Sequence, residues 1–224
     1  MAVAQALRIG VAGVVLDADV TVPAQARGVV VFAHGSGSGR HSPRNRYVAG
    51  ELQAVGLATV LADLLTEEEE RLDARTGELR FDISLLAVRV IALTDWVTGY
   101  EPTAGLSVGL FGASTGAAAA LVAAAARPDP VRAVVSRGGR PDLAGEFLRL
   151  IRQPTLLIVG GSDTTVLELN RRALQLIPAD AELALVPGAS HLFEEPGALE
   201  QAAALARDWF VRHLPEAEAG SPVG

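Results

Sequence analysis

The stretch that most constrains this chain is Gly112-Ala113-Ser114-Thr115-Gly116, set between an apolar run and an alanine-rich one. Ser107 to Phe111 reads as a buried strand, and the Ala/Leu/Val run from Ala117 to Ala126 is built from strong helix formers. A strand that passes into a helix across so short a turn forces its central residue into an unfavourable backbone conformation. Only small flanking residues let the two elements approach closely. Ser114 is therefore expected at a helix N-terminus with its hydroxyl exposed, where backbone N–H groups and the helix dipole favour a developing negative charge. Strand, Gly-x-Ser-x-Gly, helix is the context in which a serine is displayed as a nucleophile.

The rest of the chain alternates in a way that suits this element. A length of 224 residues fits one α/β domain. Half of the residues are hydrophobic but only 4% are aromatic, so the core is expected from Val, Leu, Ala and Ile. Gly28 to Ala33 and Leu57 to Leu61 are apolar on both faces, as central parallel strands must be. Ser42-Pro43 caps a helix running to about Val55, and Asp82 caps another over Ile83 to Val97. Strands follow at Val131–Val135, Thr155–Val159 and Glu182–Val186, with helices at about Val166–Leu176 and Gly197–His213. Leu7–Val15 and Leu16–Val22 read as two short β segments around Gly13. The expected fold is α/β, a mostly parallel central sheet with helices on both faces, in one domain over residues 1–213. Residues 214–224 read as a frayed tail.

Composition excludes several classes of function. A net charge of −7 argues against the concentrated basic face that nucleic acid needs. With no cysteine there is no disulfide, thiolate nucleophile or cysteine-based metal site. No segment looks like a signal peptide or membrane span, so the protein is expected to be soluble and cytoplasmic, with no membrane partner.

Ligands of such sheets bind beyond the carboxyl ends of the strands. Ser114, Asp163 and His191 all fall at that edge, in the order Ser, Asp, His. Asp163 could simply belong to a turn or cap a helix, and a lone loop histidine is usually only solvated. Asp142, after the preceding strand, competes with Asp163 for the role of acid. The turn His34-Gly35-Ser36, leaving a strand beside the serine, can aim an N–H at a substrate carbonyl. The N–H groups of Ser36 and Thr115 are the expected oxyanion hole, the alternative being a merely flexible glycine/serine loop.

At these residues the chain resembles the α/β-hydrolase superfamily, and within it the lidless dienelactone hydrolase-like branch. The resemblance spans nearly all of residues 12–213 and rests on His34-Gly35-Ser36-Gly37, Gly112-Ala113-Ser114-Thr115-Gly116, Gly161-Ser162-Asp163 and Ser190-His191. The enzyme that names the branch uses a cysteine nucleophile, whereas this chain has Ser114, which points away from lactones toward serine ester hydrolysis. The resemblance implies acyl transfer without metal or organic cofactor, on a small-molecule ester. Thioesterase or peptidase chemistry uses the same three residues, and a non-catalytic scaffold acting as a binding module is the alternative of another class. Only about fifteen residues separate Ser136 from Ile151, too few for a large cap. His34, Arg40 and Arg137 are candidate substrate contacts, the arginines through bidentate bonds to a carboxylate, although such arginines are more often solvated or paired with local acids. Glu67–Glu70 reads as a solvated loop or helix face, or else a mobile flap. Monomer and homodimer are both compatible with the chain.

Overall fold

The computed structural model describes residues 2–214. Eight strands form one sheet: β1 (Val3–Val11), β2 (Val14–Val22), β3 (Gly28–Ala33), β4 (Leu57–Ala62), β5 (Val108–Ala113), β6 (Val131–Arg137), β7 (Thr155–Gly160) and β8 (Ala181–Val186). Their spatial order is β1-β2-β4-β3-β5-β6-β7-β8. From β4 to β8 every neighbouring pair is parallel, and only β1 and β2 run antiparallel to their neighbours. The mostly parallel α/β sheet read from the sequence is thus the fold observed.

Six α-helices cover the two faces. They are α1 (Pro43–Ala54), α2 (Glu67–Thr76), α3 (Ile83–Gly99), α4 (Thr115–Ala126), α5 (Thr164–Leu174) and α6 (Ala198–His213). One core gathers Leu86, Val90 and Leu93 of α3 and the alanines of α4 against one face of the sheet. The other gathers Val48 and Leu52 of α1 and Trp209 and Phe210 of α6 against the opposite face. Strands β3, β4, β5 and β7 are buried along their whole length, which explains why their sequences are uniformly apolar rather than alternating.

Two local readings change and a third is decided between its alternatives. The first hairpin turns at Ala12-Gly13, both with positive φ (49° and 77°), so Val14 and Val15 belong to the second strand. A two-residue turn of that hand matches the right-handed twist of the flanking strands. Of the alternatives for Glu67–Glu70, the helix face holds: these residues open α2. Thr66 Oγ1 accepts from the Glu69 N–H at 3.2 Å, and the Glu69 carboxylate accepts from the Thr66 N–H at 2.7 Å, a reciprocal cap. Leu214, placed at the start of the tail, is fully buried against Gly28 and Gly109 and closes α6 through its N–H on the Phe210 carbonyl at 2.8 Å. Burying such a side chain contributes about 1.5–3 kcal/mol, which fixes the chain to that point. The remainder of the expected tail, residues 215–224, lies outside the described residues.

Between β6 and β7 the chain makes only 3₁₀ turns over Pro141–Leu150, broken at Gly145. No cap domain covers the carboxyl edge of the sheet among the described residues. No helix there is long and apolar enough to cross a membrane.

Candidate active site

Ser114 sits between β5 and α4 with φ 51° and ψ −123°, a conformation that non-glycine residues avoid and that only a rigid surround sustains. The surround is visible at the two flanking glycines. A Cβ on Gly112 would stand 2.4 Å from the Ala117 Cα, and one on Gly116 would stand 2.2 Å from the Ala33 carbonyl oxygen. Neither position admits a side chain, so strand and helix close on each other and push Ser114 outward. Its backbone is pinned as well. The carbonyl accepts from the N–H groups of Ala117 at 3.1 Å and Arg140 at 3.0 Å, and its own N–H reaches the Arg137 carbonyl at 3.3 Å.

Asp163 leaves the end of β7 and His191 the loop after β8, and the two meet: His191 Nδ1 lies 2.7 Å from Asp163 Oδ2. The other carboxylate oxygen accepts from the Val166 N–H at 3.3 Å and caps α5. The helix cap and the histidine partner are therefore one side chain, and the two readings of Asp163 were never alternatives. Nδ1 facing a carboxylate carries the proton, which leaves Nε2 free as a base. The histidine loop is tied down by the Ser190 N–H, which donates to Glu195 at 3.0 Å and holds that carboxyl below its ordinary value. Asp142 takes no part. Its carboxylate receives Arg140 in a bidentate pair at 2.9 and 2.7 Å.

Ser114 and His191 line one cleft of about 210 Å³ with Ser36, Arg44, Asn45 and Arg137. Among the described residues Ser114 Oγ forms no hydrogen bond to His191. Catalytic hydrogen bonds of this kind commonly tighten only around a bound substrate. Ser36 and Thr115 face each other across the turn, their hydroxyl oxygens 3.1 Å apart, and Ser36 also reaches the Arg80 carbonyl at 3.4 Å. Gly35 makes this approach feasible, since a Cβ there would lie 2.8 Å from the Ser114 Cβ.

The three candidate substrate contacts separate. His34 is buried with both ring nitrogens engaged: Nδ1 donates to the Gly35 carbonyl at 3.0 Å and Nε2 accepts the Leu64 N–H at 2.9 Å. Burial pushes its pKa down, outweighing the bond to Gly35 and the charge of Asp63. These two ring-nitrogen bonds brace the turn. Arg40 is held by Asp63 and flanked by Asp17 and Asp19, each 3.8 Å away, so local acids absorb it. Arg137 alone lies in the cleft, 7% exposed, with Nη2 on Asn45 Oδ1 at 3.2 Å. Burial pushes its pKa down to about 10, and the like charge of Arg44 adds to the effect.

A larger adjoining cavity of about 500 Å³ borders the same turn and is walled by Glu70, Asp73 and Ala74 of α2, with Arg80. Asp73 is buried and takes Arg80 through its backbone N–H at 2.9 Å and Nε at 2.6 Å. Burial pushes the Asp73 carboxyl up, but the bonds and charge of Arg80 prevail and hold it below its usual value. This wall is absent from the reading of the sequence, although Thr66-x-x-Glu69 carries the capping signal for it. No group of His, Asp and Glu able to hold a metal ion occurs among the described residues.

Comparison with known proteins places the fold. The crystal structure of a dienelactone hydrolase from Anabaena variabilis is 56% identical, covering 95% of this chain and 99% of that one, with a TM-score of 0.93. Est1E from Butyrivibrio proteoclasticus shares the fold at 16% identity, with a TM-score of 0.78 over 92% of this chain and 98% of that one. Two Mycobacterium tuberculosis proteins, provisionally named phosphoribosyl transferases, are 63% identical over 194 residues, which is 87% of this chain but 43% of theirs. The chain thus spans less than half the length of the curated relatives it matches. A profile of the dienelactone hydrolase family matches residues 16–213, and the chain belongs to that family.

Proposed function

We propose that the protein is a serine hydrolase that cleaves carboxylic esters of small soluble substrates through an acyl-enzyme on Ser114. The observation that carries this reading is the His191–Asp163 bond at the mouth of the cleft that Ser114 enters in its strained backbone conformation. In the reaction, His191 Nε2 takes the Ser114 proton as Oγ attacks the ester carbonyl. Asp163 holds the ring in the tautomer that can do so and stabilises the imidazolium that forms. The N–H groups of Ser36 and Thr115 receive the carbonyl oxygen as it becomes an oxyanion, Thr115 standing at the N-terminus of α4 where the helix dipole adds to the effect. The imidazolium then protonates the leaving alcohol, and water, activated by the same base, releases the acid.

The name of the longer curated relatives does not decide the matter for this stretch. Ser114, Asp163 and His191 all lie within the residues that the hydrolase family profile matches. Any transferase activity is a property proposed for those longer chains. The test is steady-state hydrolysis of matched 4-nitrophenyl esters, thioesters and anilides by the native protein and by Ser114→Ala. Ester turnover lowered by about 10⁴ or more in the variant supports the reading. Turnover confined to thioesters or anilides reassigns the leaving group, and turnover that survives in Ser114→Ala contradicts it.

A further inference from the structure

Asn170 lies in the interior of α5 with no surface exposed to solvent. Asparagine suits that position poorly, because it favours caps and turns over helix interiors and takes a polar amide into the core. Its Oδ1 has no hydrogen-bond partner among the described residues, which costs free energy in itself. The other end of the amide is fully used. Nδ2 donates to the Val166 carbonyl at 2.8 Å, one turn back in the helix, and to the Gly139 carbonyl at 3.0 Å, outside it. Both partners are acceptors, so the orientation of the amide is determined.

Gly139 is the partner that matters. It is buried, and among the described residues Asn170 is the only hydrogen-bond donor to its carbonyl. The same peptide group carries the Arg140 N–H, which donates to the Ser114 carbonyl at 3.0 Å. That carbonyl in turn shares a peptide group with the Thr115 N–H, one of the two donors proposed for the oxyanion. Two peptide groups therefore stand in series between Asn170 and the oxyanion, each polarised by the one before it. The first has little stiffness of its own, since it follows Gly138, at φ 53°, and Gly139, neither with a Cβ to restrict rotation. Nor could Gly139 take a Cβ, which would stand 2.0 Å from Ser136 Oγ and 2.5 Å from Ala117 Cβ. Helix α5 thus serves both halves of the site. Asp163 at its N-terminus holds His191, and Asn170, about two turns on, holds the turn behind Ser114.

We infer that Asn170 is a positioning residue: it fixes the peptide between Gly139 and Arg140 and, through it, aims the Thr115 N–H at the oxyanion. The effect on the oxyanion rests on the hydrolase reading given above, whereas the hold on the turn does not. Without the amide, the glycine turn is free to rotate its peptide, the Arg140 N–H leaves the Ser114 carbonyl, and Thr115 loses its fixed direction. A donor that must be reoriented during the reaction stabilises the developing charge less than one already in place.

The experiment compares the full native chain with Asn170→Ala, Asn170→Thr and, as a control, Leu167→Ala, which removes a buried side chain from the same helix and leaves the amide in place. Asn170→Thr opens less of a cavity than Asn170→Ala, and a helical threonine spends its one proton on the carbonyl a turn back, here Val166, so Gly139 loses its donor. Amide hydrogen exchange followed by NMR reads the turn. In both Asn170 variants the Arg140 N–H is expected to exchange about tenfold or more faster than in the native protein, relative to the Leu110 and Val134 amides of the core strands, and in Leu167→Ala it is not. Hydrolysis of 4-nitrophenyl acetate, counted per site titrated with a fluorophosphonate, reads the oxyanion. There kcat and kcat/KM should fall together by about tenfold to a hundredfold, as for an interaction made only in the transition state, while the pH profile that reports His191 stays in place. An Arg140 amide that exchanges as in the native protein overturns the proposal. So does faster exchange with unchanged turnover per site, which would leave Asn170 a brace of the core, and so does an equal fall in Leu167→Ala. Absence of ester turnover in the native protein would defeat the hydrolase reading, and the Arg140 exchange rate would still decide whether Asn170 holds the turn.

Discussion

The Asp163 carboxylate holds His191 Nδ1 at 2.7 Å with one oxygen and caps helix α5 with the other. These two duties separate under substitution. Asp163→Asn keeps a capping oxygen but no longer fixes the base tautomer of His191, so kcat is expected to fall by about 10³–10⁴ with little change in melting temperature. Asp163→Ala loses the cap too and should be less stable than Asp163→Asn by about 1 kcal/mol. Parallel kinetics and denaturant unfolding of the two variants check this. Equal stability would mean the Val166 contact contributes nothing.

Asp142 makes the complementary case. Its carboxylate is taken up by Arg140, so Asp142→Asn removes a partly exposed ion pair worth about 0–1 kcal/mol and leaves His191 untouched. Turnover is expected to stay within roughly threefold of native, because the His191–Asp163 pair is unchanged. A drop comparable to that of Asp163→Asn would move the acid role to Asp142.

His34 gives stability a pH dependence of calculable sign. Burial lowers its folded-state pKa below the ordinary histidine value of about 6.5, so the unfolded chain binds the extra proton first as pH falls. Its contribution is complete above about pH 6.5 and is lost below it, at up to about 1.4 kcal/mol per pH unit, until the folded pKa is reached. Protonation would also force the Leu64 N–H off Nε2. Denaturant unfolding between pH 5 and 8 should show a shallower acid slope for His34→Gln. It should not be flat, because His213 is depressed in the same direction, by burial and then by Arg212. Identical slopes would show that His34 does not govern the loss.

Gly116→Ala tests the turn between β5 and α4 itself. The added methyl would enter backbone atoms of Ala33 and His34 at 2.2 and 2.4 Å, which no rotamer can relieve. Destabilisation of at least about 1–3 kcal/mol is expected, with loss of turnover in whatever remains folded. A variant with native stability would mean that β3 and α4 are not packed as closely as described.

Much of this was legible in the chain, for identifiable reasons. The buried strands announce themselves as two-sided apolar runs, and β3 begins and ends where that run does, at Gly28 and Ala33. Ser42-Pro43 and Asp82 mark helix starts through local chemistry, and both side chains do accept the expected N–H groups, from Asn45 and Leu85. The resemblance to dienelactone hydrolases was carried by motifs lying at strand ends, where the sheet places ligands. What escaped notice depends on tertiary partners. Three of the four glutamates that open α2 are indeed exposed, but Glu69 is taken up by the cap with Thr66 and by Arg89. Arg40 and Arg137 are alike as letters, but one meets Asp63, just past the end of β4, while the other meets only rings and an amide. His34 reads as a site residue because it precedes the oxyanion turn, and its bond to Leu64, thirty residues on, makes it a brace.

The most direct measurement of the central claim is covalent labelling of the purified protein with a fluorophosphonate, mapped by peptide mass spectrometry, with Ser114→Ala as control. An activated serine beside a neutral imidazole attacks such a probe, whereas ordinary surface serines do not. The account predicts one adduct, on Ser114, absent from the variant and slowed in Asp163→Asn. A folded native protein that takes up no probe, or takes it up on another residue, would contradict the assignment of Ser114 as nucleophile.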